Sequence, residues 1–464
     1  MDAFITALHD IIDPRFVLSG DTPRDAYDHG WLPQYAGHSR AVVRPDSTEQ
    51  VSQVLSLANA HAVPVIPMGG NTGLTGATYS DPENPALILS LDRMDKILEV
   101  KPNAQVMRVQ AGAILDTVRN AAEEHDLAFP LVFGARGSCR IGGNLATNAG
   151  GSNVLRYGNT RDLCLGMTVV LADGRIMDLS SELRKDNTGY DLKHLFIGSE
   201  GTLGVITEAT LRLTHNPRHH ATAMAAMQDI DDALSLLNRL NRTSGGAVEA
   251  FELMPQNYCT LLPQALPALR PVFTPVPQLT ILIELASSAD QADLQDLLEA
   301  ELANAIEQGH ATDAVISQNE TQRAEMWLRR ESTFEVTDLR GPTLDTDVAL
   351  PLDKVADFLR RADAAVHGLS SDAEPIYISH LGDGNVHYSI WDAPENTSER
   401  EALVEEIEDI VADLGGSFSA EHGIGLMKRS TMARRKDPVA MAVMRAIKQQ
   451  LDPKGIMNPG KLLP

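Results

Sequence analysis

Between residues 41 and 67 the apolar positions change period twice. Ala41-Val42-Val43 is a continuous apolar run suited to a short buried strand. Val51, Val54, Leu55 and Ala58 then form a stripe on a helical period, and Ser47 with Gln50 supplies a capping box at its start. Val63-Pro64-Val65-Ile66-Pro67 returns to an extended pattern, so this stretch predicts strand, helix, strand. Further strands are expected at 86–91 and 106–110, in a hairpin of 165–171 with 175–179 turned by Asp173-Gly174, and at 202–213, where apolar and polar residues alternate. The pattern predicts an α+β first domain with two subdomains rather than a strict βαβ repeat.

The composition shifts after Thr214. His215-Asn216-Pro217-Arg218-His219-His220 reads as a linker. Beyond it, long helices at 289–308 and 398–414 alternate with antiparallel-type strands at 278–285, 344–350 and 376–390. Gly415-Gly416 stops the second helix. The expected division is a first domain over 1–214 with its core at about 35–214, an α+β cap over 215–415, and a segment 416–464 that packs back on the first domain.

Composition adds exclusions. The three cysteines, Cys139, Cys164 and Cys259, are widely spaced and form no CxxC. That argues against a disulfide framework, an iron–sulfur cluster or a zinc ribbon, and fits a reducing, cytoplasmic setting. Met1-Asp2-Ala3-Phe4 lacks the basic and apolar stretches of a secretory signal, and no apolar run reaches the ~20 residues of a membrane span. A formal charge of −24 disfavours nucleic acid and anionic membrane surfaces as partners. An anionic small molecule would need a local basic pocket, for which Arg136, Arg140, Arg156, Arg161 and the pair Arg329-Arg330 are candidates.

Within 376–390 lies His380-Leu381-Gly382-Asp383-Gly384-Asn385-Val386-His387. Asp383-Gly384 signals a two-residue type I′ turn, which would set His380 opposite His387 with Cβ atoms roughly 5 Å apart. Two imidazoles so placed make half of a divalent-metal site, open to a third, carboxylate ligand. Two surface histidines on a polar hairpin are the plain alternative.

Two glycine-rich runs carry a different chemistry. Gly69-Gly70-Asn71-Thr72-Gly73-Leu74-Thr75-Gly76 follows a strand, and Gly142-Gly143-Asn144-Leu145-Ala146-Thr147-Asn148-Ala149-Gly150-Gly151 repeats its character. Glycines let backbone N–H groups approach a phosphate, and Asn and Thr add donors. Neither run is GxGxxG or GxxxxGK[ST], so Rossmann and P-loop sites are excluded. The two together point to a large diphosphate cofactor.

These runs, with 185–204 (KDNTGYDLKHLFIGSEGTLG), 380–387, 419–425 (SAEHGIG) and 452–461 (DPKGIMNPGK), resemble in order the FAD-linked oxidases of the vanillyl-alcohol oxidase superfamily. Within it the likeness is to the D-2-hydroxyglutarate and D-lactate dehydrogenase group. The resemblance implies a PCMH-type FAD-binding domain. Pro67, Gly69, Gly70, Asn71, Thr72, Gly73 and Leu74 would hold the pyrophosphate. Gly137, Ser138, Gly142, Gly143, Asn144, Thr147 and Gly150 would line the flavin, with Glu200, Gly204, Ile206 and the returning Asn458 nearby. Some members attach FAD through a His in the first loop; Asn71 and Thr72 stand here, so FAD is expected to be non-covalent.

The resemblance also implies that Glu421 joins His380 and His387 on Zn²⁺ or Mn²⁺, with His422 as general base and Arg330 binding the substrate carboxylate. A D-2-hydroxy acid would then be oxidised to the 2-oxo acid, with electrons passed to a quinone or an electron-transfer flavoprotein. Three positions depart from the hydroxyglutarate pattern: Phe334 replaces a Thr, Asp345 a Lys and Ser389 an Asn. They leave room for D-lactate or another monocarboxylate. A flavin-binding electron-transfer subunit is the alternative from another class, and a homodimer is left open.

Overall fold

The computed structural model describes residues 3–289 and 293–464. The chain divides into two units: Met1–Gly150, Gly158–Asn216 and Glu421–Pro464 form one, and Gly151–Tyr157 with Pro217–Ala420 form the other. The excursion at 151–157 has no compositional signal.

In the first unit, Ser47 Oγ accepts from Gln50 N at 3.3 Å and opens the helix Thr48–His61. Its stripe of Val51, Val54, Leu55 and Ala58 is fully buried, each Val or Leu contributing about 1.5–3 kcal/mol. Ala62, left-handed at φ 52°, ends it. The flanking strands Ala41–Val43 and Val65–Met68 both pair in parallel with Leu87–Ser90. A second, antiparallel sheet runs Ile97–Lys101, Val106–Gln110, Val205–Arg212, Cys164–Val170, Ile176–Leu179. The strand expected from 202 starts at Val205, because Thr202 is held in a turn by its hydroxyl bond to the Ser199 carbonyl. The C-terminal segment joins the edge of the first sheet: Val65 N donates to Ile456 O and Asn458 N to Val65 O, both at 2.8 Å.

The second unit is built on a seven-stranded antiparallel sheet in the order Ala311–Ile316, His219–Met227, Leu279–Ser287, Val248–Pro255, Glu374–His380, Asn385–Trp391, Leu344–Ala349. The linker read at 215–220 is shorter, because His219 and His220 pair with Ser287 and Ala286. The helix expected from 289 begins at Leu294; positions 290–292 lie outside the described residues. Phe251, Leu253, Ile281, Ile283, Val386 and Tyr388 belong to the large core under the helices Ile230–Thr243, Leu294–Glu307, Val355–Leu369 and Thr397–Asp413. The opposite face carries a smaller core with Met224, Met254, Leu282, Ile376 and Ile378. Polar side chains share that second face, and the candidate site starts there.

Candidate active site

The histidine hairpin forms, with a register that differs from the expected one. His380 faces Asn385 and Ile378 faces His387, so four residues, not two, make the turn. A type I′ turn needs φ > 0 at both central residues; Gly384 has φ 82°, but Asp383 is not left-handed. Instead the His380 carbonyl accepts from both Asp383 N and Gly384 N at 3.1 Å. A shift of two residues keeps side chains on the same face. The histidines therefore meet diagonally, with ring centroids 5.3 Å apart.

Each imidazole backs onto a buried carboxylate. His380 Nδ1 lies 2.9 Å from Glu252 Oε1, and His387 Nδ1 lies 3.6 Å from Asp347 Oδ1. Both acids are 1% exposed. Asp347 also accepts from Asn385 Nδ2 at 2.9 Å and from Ala420 N at 3.1 Å. Burial pushes the Glu252 carboxyl up, but the His380 and Arg330 charges outweigh it and leave it below the usual range.

Arg329 and Arg330 are both buried in the helix Glu320–Glu331 and differ in use. Arg329 donates to the Glu325 and Arg270 carbonyls, at 2.5 and 2.9 Å, which makes it structural. Arg330 Nη2 lies 2.8 Å from Glu252 Oε2, an ion pair rather than an aligned hydrogen bond, and its Nε is buried with no acceptor. Trp327 anchors the same helix by donating to Glu284 at 2.8 Å.

In the first unit, the two glycine runs pack against each other. A Cβ on Gly70 would lie 2.3 Å from the Ser138 carbonyl, and one on Gly69 would lie 3.4 Å from Gly143. Gly73 and Gly143 face open space. Gly137 ends a 3-10 turn just before Ser138, while Gly142, Gly143, Asn144 and Thr147 lie on the short helix Ile141–Thr147. Asn71 is left-handed, and its side chain donates to His29 O, 42 residues earlier, and accepts from Thr78. Pro67 ends up in the strand Val65–Met68; Gly204 closes tightly on Val170 O, and Ile206 is buried in the next strand. Asn144 Nδ2 and Asn458 Oδ1 are buried and orphaned, as amides meant for a missing group would be. That fits a cofactor.

Glu200 plays a different part from an open cofactor contact. Its carboxylate accepts from Ile424 N at 2.7 Å and Gly425 N at 2.8 Å, fastening the stretch that carries Glu421 and His422. Burial pushes its carboxyl up against those bonds. The Thr75 hydroxyl donates to the His422 carbonyl at 3.3 Å, and a Cβ on Gly150 would lie 2.7 Å from Glu421 Oε1. Among the departures, Phe334 is 56% exposed, and Asp345, also exposed, pairs in register with the half-buried Ser389.

Glu252 is the residue that sequence reasoning missed. The signal was present: Glu249 and Glu252 interrupt an otherwise apolar strand, Val248–Pro255, buried at every position. Acids in such a strand must be paired.

A model described as "FAD binding domain" matches residues 39–180, and one described as "FAD linked oxidases, C-terminal domain" matches 216–462. The fold is that of the solved p-cresol methylhydroxylase with substrate bound, at TM-score 0.75 and 17% identity, covering 99% of this chain and 96% of that one. The protein is an FAD-dependent oxidoreductase. It is 36% identical over 442 residues to the D-2-hydroxyglutarate dehydrogenase of Xanthomonas citri pv. viticola, covering 94% of this chain and 92% of the relative. It is 34% identical over 460 residues to the mitochondrial D-2-hydroxyglutarate dehydrogenase of Arabidopsis thaliana, covering 99% and 81%. The chain belongs to the FAD-linked oxidase family that contains these dehydrogenases.

Proposed function

We propose that the protein oxidises a D-2-hydroxy acid to the 2-oxo acid on non-covalent FAD, with a divalent ion, Zn²⁺ or Mn²⁺, held by His380, His387 and Glu421. The observation that carries this reading is the pair of imidazoles backed by buried carboxylates, Glu252 at His380 and Asp347 at His387. A carboxylate at Nδ1 orients the ring so that Nε2 is the ligand atom. Glu421 follows Ala420 in the chain, and Ala420 N–H is bonded to Asp347, the acid behind His387. Imidazole ligands favour Zn²⁺ or Mn²⁺ over Mg²⁺.

Arg330, with its unused Nε, binds the substrate carboxylate; a guanidinium suits that planar anion. His422 takes the hydroxyl proton, and the electron pair of the Cα–H bond leaves as hydride while the C=O bond forms. FAD, which the two glycine runs would hold, would supply the acceptor for that hydride. An ion held by His380, His387 and Glu421 would supply a Lewis acid for the substrate hydroxyl. We infer a quinone or an electron-transfer flavoprotein as the acceptor. Cys139, Cys164 and Cys259 are free thiols, which supports a cytoplasmic setting; among the described residues no helix is long and apolar enough to cross a membrane.

D-2-hydroxyglutarate, the substrate named for the relatives, is the first candidate. Asp345 and Phe334 favour a second, D-lactate or another monocarboxylate, because an acid and an exposed ring do not grip a distal carboxylate. Anaerobic mixing with D- and L-2-hydroxy acids, with and without chelator, tests the whole. Bleaching of the flavin by D-acids alone, abolished by chelator, is expected. Equal bleaching by L-acids, or bleaching indifferent to chelator, overturns it.

A further inference from the structure

We infer that Glu252 is a positioning residue that couples the two halves of the site, setting by one carboxylate both the ligand nitrogen of His380 and the guanidinium of Arg330. The inference rests on the metal reading above. Glu252 sits in a central strand, opposite His380 in register, and is 1% exposed. Its oxygens lie 2.9 and 2.8 Å from His380 Nδ1, and Oε2 lies 2.8 Å from Arg330 Nη2. Arg330 Nη2 itself comes within 3.4 Å of His380 Nδ1.

The protons at this junction follow from donor and acceptor counting. A guanidinium only donates and a carboxylate only accepts. Two bare lone pairs, on Nδ1 and on the carboxylate, would repel at such a distance, so Nδ1 carries the proton. Nε2 then keeps the lone pair that a metal needs. Without the carboxylate, the nearby guanidinium would donate to Nδ1 and drive the proton to Nε2, the wrong tautomer. Glu252 thus keeps Arg330 from competing for the imidazole while holding it for substrate.

An amide at this position leaves a donor facing a donor whichever way it turns, because Oε1 lies 2.9 Å from His380 Nδ1 and Oε2 lies 2.8 Å from both His380 Nδ1 and Arg330 Nη2. In Glu252→Gln one side of the group accepts, but the other is an NH₂ facing either Arg330 or His380. The test is Zn²⁺ affinity of the FAD-loaded protein, measured by chelator competition without turnover. Glu252→Gln is expected to bind Zn²⁺ about 10- to 100-fold more weakly. Arg330→Met alone should change it little, and adding Arg330→Met to Glu252→Gln should restore most of the affinity, since the competing donor is gone. A general packing role for Glu252 would make the double variant worse.

If Glu252→Gln holds Zn²⁺ as tightly as the parent while His380→Ala loses it, this inference fails and the metal reading stands. If the parent binds no Zn²⁺ that depends on His380, both fall. Should Glu252→Gln fail to fold, ¹⁵N-histidine spectra of the unaltered protein decide the matter. Protonated Nδ1 at His380 is expected, and protonated Nε2 overturns the inference.

Discussion

The cap sheet and the glycine loops meet the same demand, polar groups held ready in a dry place, by opposite means. On the sheet, each imidazole stands against an acid from another strand: Glu252 from Val248–Pro255 for His380, at hydrogen-bond distance, and Asp347 from Leu344–Ala349 for His387, at 3.6 Å. Here side chains do the aiming. In the FAD-type unit the close packing of two loops is made by residues with no side chain, Gly69 and Gly70 against Ser138 and Gly143. In the same unit Asn144 Nδ2 and Asn458 Oδ1 are buried without a partner. A side-chain site should lose chemistry when altered and keep its partner unit intact. A backbone site should lose its ligand as soon as any Cβ is added.

The largest expected effects are a reciprocal pair. His387→Ala should abolish flavin reduction by substrate while the purified protein stays yellow. Gly70→Ala should do the reverse, because its Cβ would meet the Ser138 carbonyl at 2.3 Å and separate the loops. It should release FAD on gel filtration while keeping Zn²⁺ binding. A yellow Gly70→Ala protein with native flavin affinity would sink the contrast. Next, Arg330→Met should raise KM for the 2-hydroxy acid roughly 10- to 150-fold, the range for a hydrogen bond to a charged group. Steady-state kinetics with a saturating artificial acceptor would measure it, and an unchanged KM would leave Arg330 a structural partner of Glu252.

Legibility in the sequence follows the same division. The glycine runs and the helix Thr48–His61 were readable because backbone needs and helical periodicity are local. The shared face of His380 and His387 was readable too, since parity survives a register shift of two. The register itself was not: Asp383-Gly384 allows more than one turn, and here the His380 carbonyl gathers two N–H groups. Glu252 escaped because its partners lie 78 and 128 positions away, at Arg330 and His380 (330 − 252 and 380 − 252). The excursion at 151–157 escaped for a related reason. Tyr157 donates to Glu249 at 2.6 Å and Leu155 fills the space beside Gly382, contacts that no local pattern announces.

Substrate choice sharpens the comparison on the sheet side. Asp345 stands two residues from Asp347 on the same edge strand, hence on the same face as His387. Asp345→Lys should raise kcat/KM for D-2-hydroxyglutarate relative to D-lactate by about 2- to 5-fold, what an exposed charge pair supplies. Competition assays with both substrates would report it. An unchanged ratio would show that the distal carboxylate is read elsewhere.

The smallest effect concerns stability, on the backbone-built side. Lys461 is 6% exposed, and its ammonium donates to the Pro459 carbonyl at 3.3 Å. Arg330, by contrast, has Glu252. Burial first, then the Arg429 charge, pull the Lys461 ammonium down from 10.5 to about 8. Between those two pH values the unfolded chain binds a proton that the folded chain does not, so this group makes stability rise with pH across that window. Below about 8 both states are protonated and the burial penalty is felt in full. Urea unfolding of the parent and of Lys461→Met, compared from the lower to the upper end of the window, isolates the term. The parent should gain on the order of 2 kcal/mol relative to the variant. A difference that stays flat with pH would mean that the FAD-type unit neutralises Lys461 by a partner, as the cap sheet does its arginine, and the contrast between the two regions would narrow to the glycines alone.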